Sequence, residues 1–439
     1  MSQDDFFALA SELSGCLHGG EVLFCSFDGE NADFVRLNGN RVRQGGTVCS
    51  RGLGLTLIDG QRQVTGTCEL AGSPEADRAL GRTLLARLRE RLAHVPEDPY
   101  LHFSQRPSAS DRLVGEDPPD SAAAVAELIA LAEGLDLVGV WASGELVEGL
   151  ASSLGHRHWH CSRSFNLDWS GYLRKDKAVK ANYGGLLWEP ERLREKLAAM
   201  RDKLAIMDRA PRTLSPGRYR AYLAPAAVQE LMDMLAWDGF DLKSHRTAQT
   251  PLLRMIRGER AFSPLIELRE AHDRGLVPAF TGEGFEKPAC VPLITGGRFG
   301  ECLVDARDGR EYGVPVNAAG GAPESLSLAP GGIPAAEVLE RLGDGLYIGN
   351  LWYCNWSDRN DCRVTGMTRF ATFWVEGGEI LAPVSVMRFD DSLYNLLGDH
   401  LEGLTETPEL LLSPETYGGR STVSASLPGL LVSGIDLAL

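Results

Sequence analysis

His156, His158 and His160, three of the chain's nine histidines, fall within five positions and have the greatest capacity for chemistry. Strand side chains repeat every second residue, so a strand would put all three imidazoles on one face, as ligands for zinc or iron. No carboxylate or cysteine accompanies them at ligand spacing. The expected arrangement is therefore a polar strand face turned to solvent or to an interface and alternating with Arg157 and Trp159, with metal binding as the alternative. His272 has a carboxylate beside it in Asp273, but on a helix adjacent side chains diverge, which predicts a surface charge cluster. Asp358-Arg359-Asn360-Asp361 lacks the length and glycine-centred spacing of a calcium loop and reads as a hydrophilic hairpin loop. Gly296-Gly297-Arg298-Phe299-Gly300 has no Lys-Ser/Thr pair to cradle a phosphate, and no G-x-S-x-G elbow is present. No catalytic residue is assigned.

These groups must be positioned by a chain of 439 residues, long enough to predict two domains. Its 44% hydrophobic and 24% charged residues are those of a soluble globular protein. No apolar run approaches the roughly 18 residues of a membrane span. The acidic start Met1-Ser2-Gln3-Asp4-Asp5 is unlike a signal peptide, so a cytoplasmic location is expected. The nine cysteines form no C-x-x-C pair and read as reduced core residues. A net charge of −16, with no Lys/Arg block, opposes contact with nucleic-acid phosphates.

The hydrophobic pattern predicts a short helix from Phe6 to Leu13 closed by Gly19-Gly20, then a meander of strands. Turns are expected at Asp28-Gly29-Glu30-Asn31, Asn38-Gly39-Asn40 and Asp59-Gly60. Helices are expected over 74–94 (with Ser73 as N-cap and Pro74 in the first turn), 121–134, 189–208 and 226–237, with four strand segments between 135 and 188. Ala210-Pro211-Arg212-Thr213-Leu214-Ser215-Pro216-Gly217 breaks a helix and restarts a strand, which sets domains at 1–212 and 213–439. After 237 the chain is Gly/Pro-rich and strand-like, with a hairpin at Glu376-Gly377-Gly378-Glu379. The expected fold class is α+β: an N-terminal meander sheet with packed helices, and a mostly antiparallel C-terminal β domain. The latter lacks edge-blocking lysines and is expected to close in a barrel-like manner.

Residues 345–384 carry Gly-Leu-Tyr-Ile-Gly, Val364-Thr365-Gly366, Phe373-Trp374-Val375-Glu376-Gly377-Gly378-Glu379-Ile380 and Pro383-Val384. That order resembles the C-terminal domain of the TldD/PmbA family. So do Glu21-Val22-Leu23-Phe24 followed by Val35-Arg36-Leu37-Asn38, Leu214-Ser215-Pro216-Gly217-Arg218-Tyr219 followed by Leu223-Ala224-Pro225, and the tail Ser424 to Gly434. Nearly the whole chain is covered. The family pairs a zinc peptidase subunit (H-E-x-x-x-H on the first helix of its second domain, and a C-terminal cysteine) with a partner lacking those ligands. Here the corresponding helix reads Ala224-Pro225-Ala226-Ala227-Val228-Gln229-Glu230-Leu231, Cys362 is the last cysteine, and Pro414 to Gly418 occupies the terminal ligand's region. After Thr365-Gly366 the bulky Met367-Thr368-Arg369-Phe370 departs from the family's small residues.

The resemblance thus implies a PmbA/TldE-like, non-catalytic subunit of a zinc metallopeptidase complex that processes unfolded peptides, including leader-peptide trimming. It implies no cofactor in this chain, zinc on a TldD-type partner, and a heterodimer, with a homodimer as the other form. The family's old genetic label is a modulator of DNA gyrase, and the acidic composition argues against direct DNA binding. Two alternatives are a self-sufficient metal-dependent hydrolase using His156, His158 and His160, and a homodimeric peptide-binding protein without activity. Alternation sends Phe373 and Trp374 to opposite faces, so Trp352, Phe373 and Trp374 are the candidates for a dimer interface or chamber wall, against burial in the chain's own core.

Overall fold

The computed structural model describes residues 1–174 and 177–438, with the side chain of Phe370 outside the description. The N-terminal half is one sheet of long strands: β1 (Val22–Asn38), β2 (Arg41–Asp59), β3 (Arg62–Glu69), β4 (Ala109–Val114), β5 (Asp136–Ser152), β6 (Arg157–Arg174) and β7 (Lys177–Gly185). Their order is β3-β2-β1-β5-β6-β4, and β7 shares the outer edge of β6 with β4. Helices α1 (Gln3–Ser14) and α2 (Pro74–Leu92) bury Phe6, Leu13, Leu85 and Leu88 against one end of this sheet. Helices α3 (Ser121–Leu131) and α4 (Pro190–Met207) cover Trp141, Phe165 and Leu167 at the other.

Several boundaries move. The first helix ends at Gly15, before Gly19-Gly20. Ser73 occupies the N-cap of α2, but its side chain makes no capping bond. Instead the Asp77 carboxylate accepts from the N–H groups of Ala71 (2.7 Å) and Gly72 (3.3 Å). Among the described residues three strands, not four, lie between 135 and 188. Asp28-Gly29-Glu30-Asn31 is no turn: β1 runs through it, paired with β2 on one side and β5 on the other. Turn-type residues are tolerated because two neighbouring strands supply the backbone hydrogen bonds. The expected turns at Asn40 and Gly60 do form, with φ of 54° and 58°.

The C-terminal half contains helix α5 (Pro225–Ala236) and strands β8 (Gly217–Leu223), β9 (Leu268–Glu270), β10 (Val291–Thr295), β11 (Arg298–Phe299), β12 (Ser325–Leu328), β13 (Gly345–Asp358) and β14 (Arg363–Glu376). They are followed by β15 (Glu379–Pro383), β16 (Arg388–Ser392), β17 (Leu401–Leu404), β18 (Glu409–Leu412), β19 (Ser424–Leu427) and β20 (Leu430–Leu437). One sheet runs β11-β10-β9-β12-β19-β18. In the other, β13-β8-β20-β16-β14 returns to β13, so the strands close into a small barrel as expected. Gly377 and Gly378, at φ of 58° and 82°, make the β14–β15 turn. Helix α5 buries Ala227, Val228, Leu231 and Leu235 in the core shared by barrel and sheet.

Phe373 is fully buried in the core of the N-terminal half, with Trp141, Phe165 and Val179. It is therefore corrected from a candidate interface residue to a plug between the two halves. Trp374 points the other way, half-buried against the barrel core, with the Arg212 guanidinium 4.0 Å above its ring. Trp352 is 44% exposed and the adjacent Tyr353 78%. Phe373→Ala is expected to cost about 3–5 kcal/mol. Urea unfolding of the purified variant checks this; a loss below about 1 kcal/mol would mean that the junction does not depend on the ring.

Candidate functional site

The halves meet along β6. His156, His158 and His160 do share one face, but that face is buried beneath residues 272–285 of the C-terminal half, not turned to solvent. His160 Nε2 lies 2.6 Å from the carbonyl oxygen of Leu276. His158 is bonded to Ser108 Oγ (2.9 Å) and Ser110 Oγ (2.8 Å) and stacks on Phe280 at 4.8 Å. His156 Nδ1 meets Ser152 Oγ at 2.6 Å, and a Cβ on Gly284 (φ +81°) would sit 2.8 Å from His156 Nε2. His156 Nε2 and His160 Nδ1 have no hydrogen-bond partner, but each ring is held by its own contacts, and among the described residues the three are not gathered within ligand distance of one ion. Burial pushes His158 and His160 down to about 4, so both are neutral at pH 7.

Arg112, on the short parallel strand β4, completes the seam. Its guanidinium donates to the carbonyl oxygens of His272 (2.7 Å), Asp273 (3.1 Å), Gly275 (3.0 Å) and Val277 (3.2 Å). The loop's carbonyls would otherwise be buried without partners at considerable cost.

His272 is itself a correction. It follows strand β9, is 1% exposed and is no part of a surface cluster. Its carboxylate neighbour is Glu270, two residues back on the same face: Nε2 lies 3.4 Å from Glu270 Oε1. Glu270 Oε1 also accepts from the N–H groups of Glu324 (3.1 Å) and Ser325 (2.8 Å). Lys287 Nζ donates to Glu324 Oε2 at 2.9 Å.

Glu324 also lines a cleft of about 390 Å³ between the halves, walled by Asp28 and Glu30 of β1, Glu148 of β5 and the loop 418–423. Arg420 crosses from that loop to Ser164 Oγ (2.7 Å) and the Ser164 carbonyl (3.1 Å), anchoring it to β6. Glu148 is pushed up to about 7 by burial and then by Asp28 and Glu324, and burial also raises Asp28. Asp28 and Glu30 were hidden in the sequence by the false turn signal around Gly29. Glu270-x-His272 was hidden by a helical reading, although Ile266 to Arg269 alternates as a strand does.

The site that the family resemblance points to lies at α5. Its amino end opens beside Lys180, Lys196, Lys203, Tyr347 and Asn350 around a cavity of about 140 Å³. The helix offers Gln229, Glu230 and Asp233 but no imidazole or thiolate. Burial raises Glu230, and Cys354 on β13 is pushed up to about 12, so its thiol stays protonated. These residues do not fit a zinc ion of the family type. Among the other cysteines, Cys25 and Cys362 are buried as expected, whereas Cys49 and Cys290 are exposed. Asp358 to Asp361 does form the loop between β13 and β14, with Asp361 paired to Arg254.

A closed barrel with a helix against it, joined to a seven-stranded sheet, is the architecture of the chain. The family model for the PmbA/TldA metallopeptidase C-terminal domain matches residues 216–439, and the chain belongs to the PmbA/TldD family. No curated protein sequence matched. Among solved structures, TldE from Thermococcus kodakarensis is 13% identical with a TM-score of 0.76, covering 99% of this chain and 100% of that one. Candidate modulators of DNA gyrase from Bacteroides thetaiotaomicron VPI-5482 (15% identical, TM-score 0.74) and Thermotoga maritima MSB8 (16%, 0.71) each cover 99% of both chains. At these identities the likeness is one of fold. Among the described residues no helix is long and apolar enough to cross a membrane.

The buried acids make stability depend on pH. Folded Glu148 keeps its proton up to about pH 7, whereas its ordinary value is 4.5. In that window the folded state binds more protons, so stability falls as pH rises from 4.5 through 7. Glu148→Gln is expected to be more stable than the parent at pH 8 and to lose that advantage at pH 4. Urea unfolding at both values checks it, and an equal effect at each pH would contradict the shift.

Proposed function

We propose that this chain is the non-catalytic, TldE-like subunit of a two-component zinc metallopeptidase that processes unfolded peptides, leader-peptide trimming included. One observation carries the reading: the helix that in the family's catalytic subunit holds H-E-x-x-x-H is fully formed here as α5, with its apolar face buried and no metal-binding imidazole. Without such ligands no water is made acidic near neutral pH at that helix, and the zinc belongs on a TldD-type partner. The chain would supply wall and substrate contacts in the cytoplasm, as domains 1–212 and 213–439. At the connection the Arg212 N–H donates to the Pro383 carbonyl at 2.7 Å, tying it to β15.

Trp352 is the residue we assign to the partner contact. It stands 44% exposed, with the guanidinium of Arg369 4.1 Å above its ring, next to the more exposed Tyr353. Exposed aromatic and arginine side chains are the anchors that interfaces use. Trp374 is assigned to the barrel's own packing.

Co-expression with a TldD-type protein from the same genome tests the proposal. The pair is expected to co-purify and to cleave unfolded peptides, while this chain alone, with or without added zinc, cleaves none. Peptidase activity from the isolated chain would overturn the reading. Trp352→Ala is expected to weaken association at least tenfold in analytical ultracentrifugation while leaving the isolated chain's Tm within about 2 °C. A fall in Tm with association intact would place the residue in the fold.

A further inference from the structure

Two polar atoms close to Glu324 have no hydrogen-bond partner although they are shut away from water: His272 Nε2 and Glu270 Oε2. Native interiors rarely leave such groups unpaired, and each one calls for an occupant. The imidazole is oriented for one. His272 Nδ1 lies 2.7 Å from the Pro288 carbonyl oxygen, which can only accept, so Nδ1 carries the proton. In the neutral ring Nε2 then presents its lone pair to the Glu270 carboxylate. An imidazole fixed through Nδ1–H to a carbonyl, with Nε2 free, is the usual arrangement behind a metal-binding histidine.

The spacing fits as well. Nε2 and Glu270 Oε1 are 3.4 Å apart. Two tetrahedral ligands of an ion bonded at about 2.1 Å stand roughly 3.4 Å from each other. The donor atoms of Glu270, His272 and Glu324 all lie within 4.8 Å of one another. Glu324 also lines the cleft, which gives an ion a route inward.

We propose that Glu270, His272 and Glu324 bind one divalent first-row transition metal ion. One imidazole with two carboxylates suits zinc or manganese, whereas calcium and magnesium prefer oxygen-rich, hydrated sites. Lys287 is the built-in competitor. Its ammonium, 1% exposed, holds Glu324 Oε2 at 2.9 Å, and an incoming ion must take that oxygen from it. The site is separate in sequence from α5 and involves no partner subunit, so it stands or falls independently of the peptidase reading.

The test uses the full-length chain stripped with a chelator, dialysed, and titrated with Zn²⁺ and Mn²⁺ by calorimetry, with bound metal counted by elemental analysis and Tm recorded. One ion per chain is expected for at least one of the two metals, with a rise in Tm. Mg²⁺ and Ca²⁺ are expected to give neither. His272→Ala and Glu324→Gln should each weaken binding at least tenfold. Glu324 is part-exposed, so its variant serves even where His272→Ala fails to fold. Lys287→Met should bind more tightly than the parent. Absence of stoichiometric binding in both the parent and Lys287→Met overturns the proposal. So does binding that Glu324→Gln and His272→Ala leave unchanged, which would place the ion elsewhere.

Discussion

The two halves of the molecule are held by a buried polar seam that must be satisfied wherever the loop 272–285 leaves water. The loop 272–285 crosses the face of β6 and brings its backbone carbonyls out of water. Arg112 donates to four of them and His160 meets a fifth, Leu276. Unpaired, each buried carbonyl would cost about 1–3 kcal/mol, comparable to a sizeable part of a domain's net stability. The short parallel strand β4 exists at the sheet edge where Arg112 is needed, and its neighbours Ser108 and Ser110 occupy both nitrogens of His158.

A second contact fixes the other end. Phe373 reaches from the barrel strand β14 into the core of the N-terminal half, while its neighbour Trp374 turns back onto the barrel side beneath Arg212. Between the halves a cleft remains, lined by residues of both. Asp28 and Glu30 from within β1, Glu148 from within β5 and Glu324 from just before β12 gather there. Burial, and after it the like charges nearby, raises Glu148 and Glu270 towards neutrality. Such acids hold protons, or a cation in their place.

The same geometry separates two questions that a family resemblance would merge. At α5 the helix is retained for packing, with its apolar side in the shared core and its polar side without imidazole or thiolate. Metal-binding chemistry, where the chain offers it, lies instead where β9 and the Lys287 segment meet the cleft.

By itself the sequence determined the α+β class, the barrel-like second half, four of the helices to within a few residues, and the family. These rest on local signals: apolar periodicity, proline at helix starts, and Gly377-Gly378 at a hairpin. It also determined that α5 carries no histidine. Only the tertiary structure decided what the polar residues do. Asp28-Gly29-Glu30 reads locally as a turn, yet it forms a strand because β2 and β5 pair it on both sides. His272 reads as a surface residue beside Asp273, yet it is buried beside Glu270 on the same face and near Glu324, which is 52 positions away from it. Phe373 and Trp374 alternate in the sequence as in the fold, but which side faced an interface depended on the N-terminal half lying against β14. A polar side chain's role is set by its partners in space, and those contacts are long-range, so no window of neighbouring residues contains them.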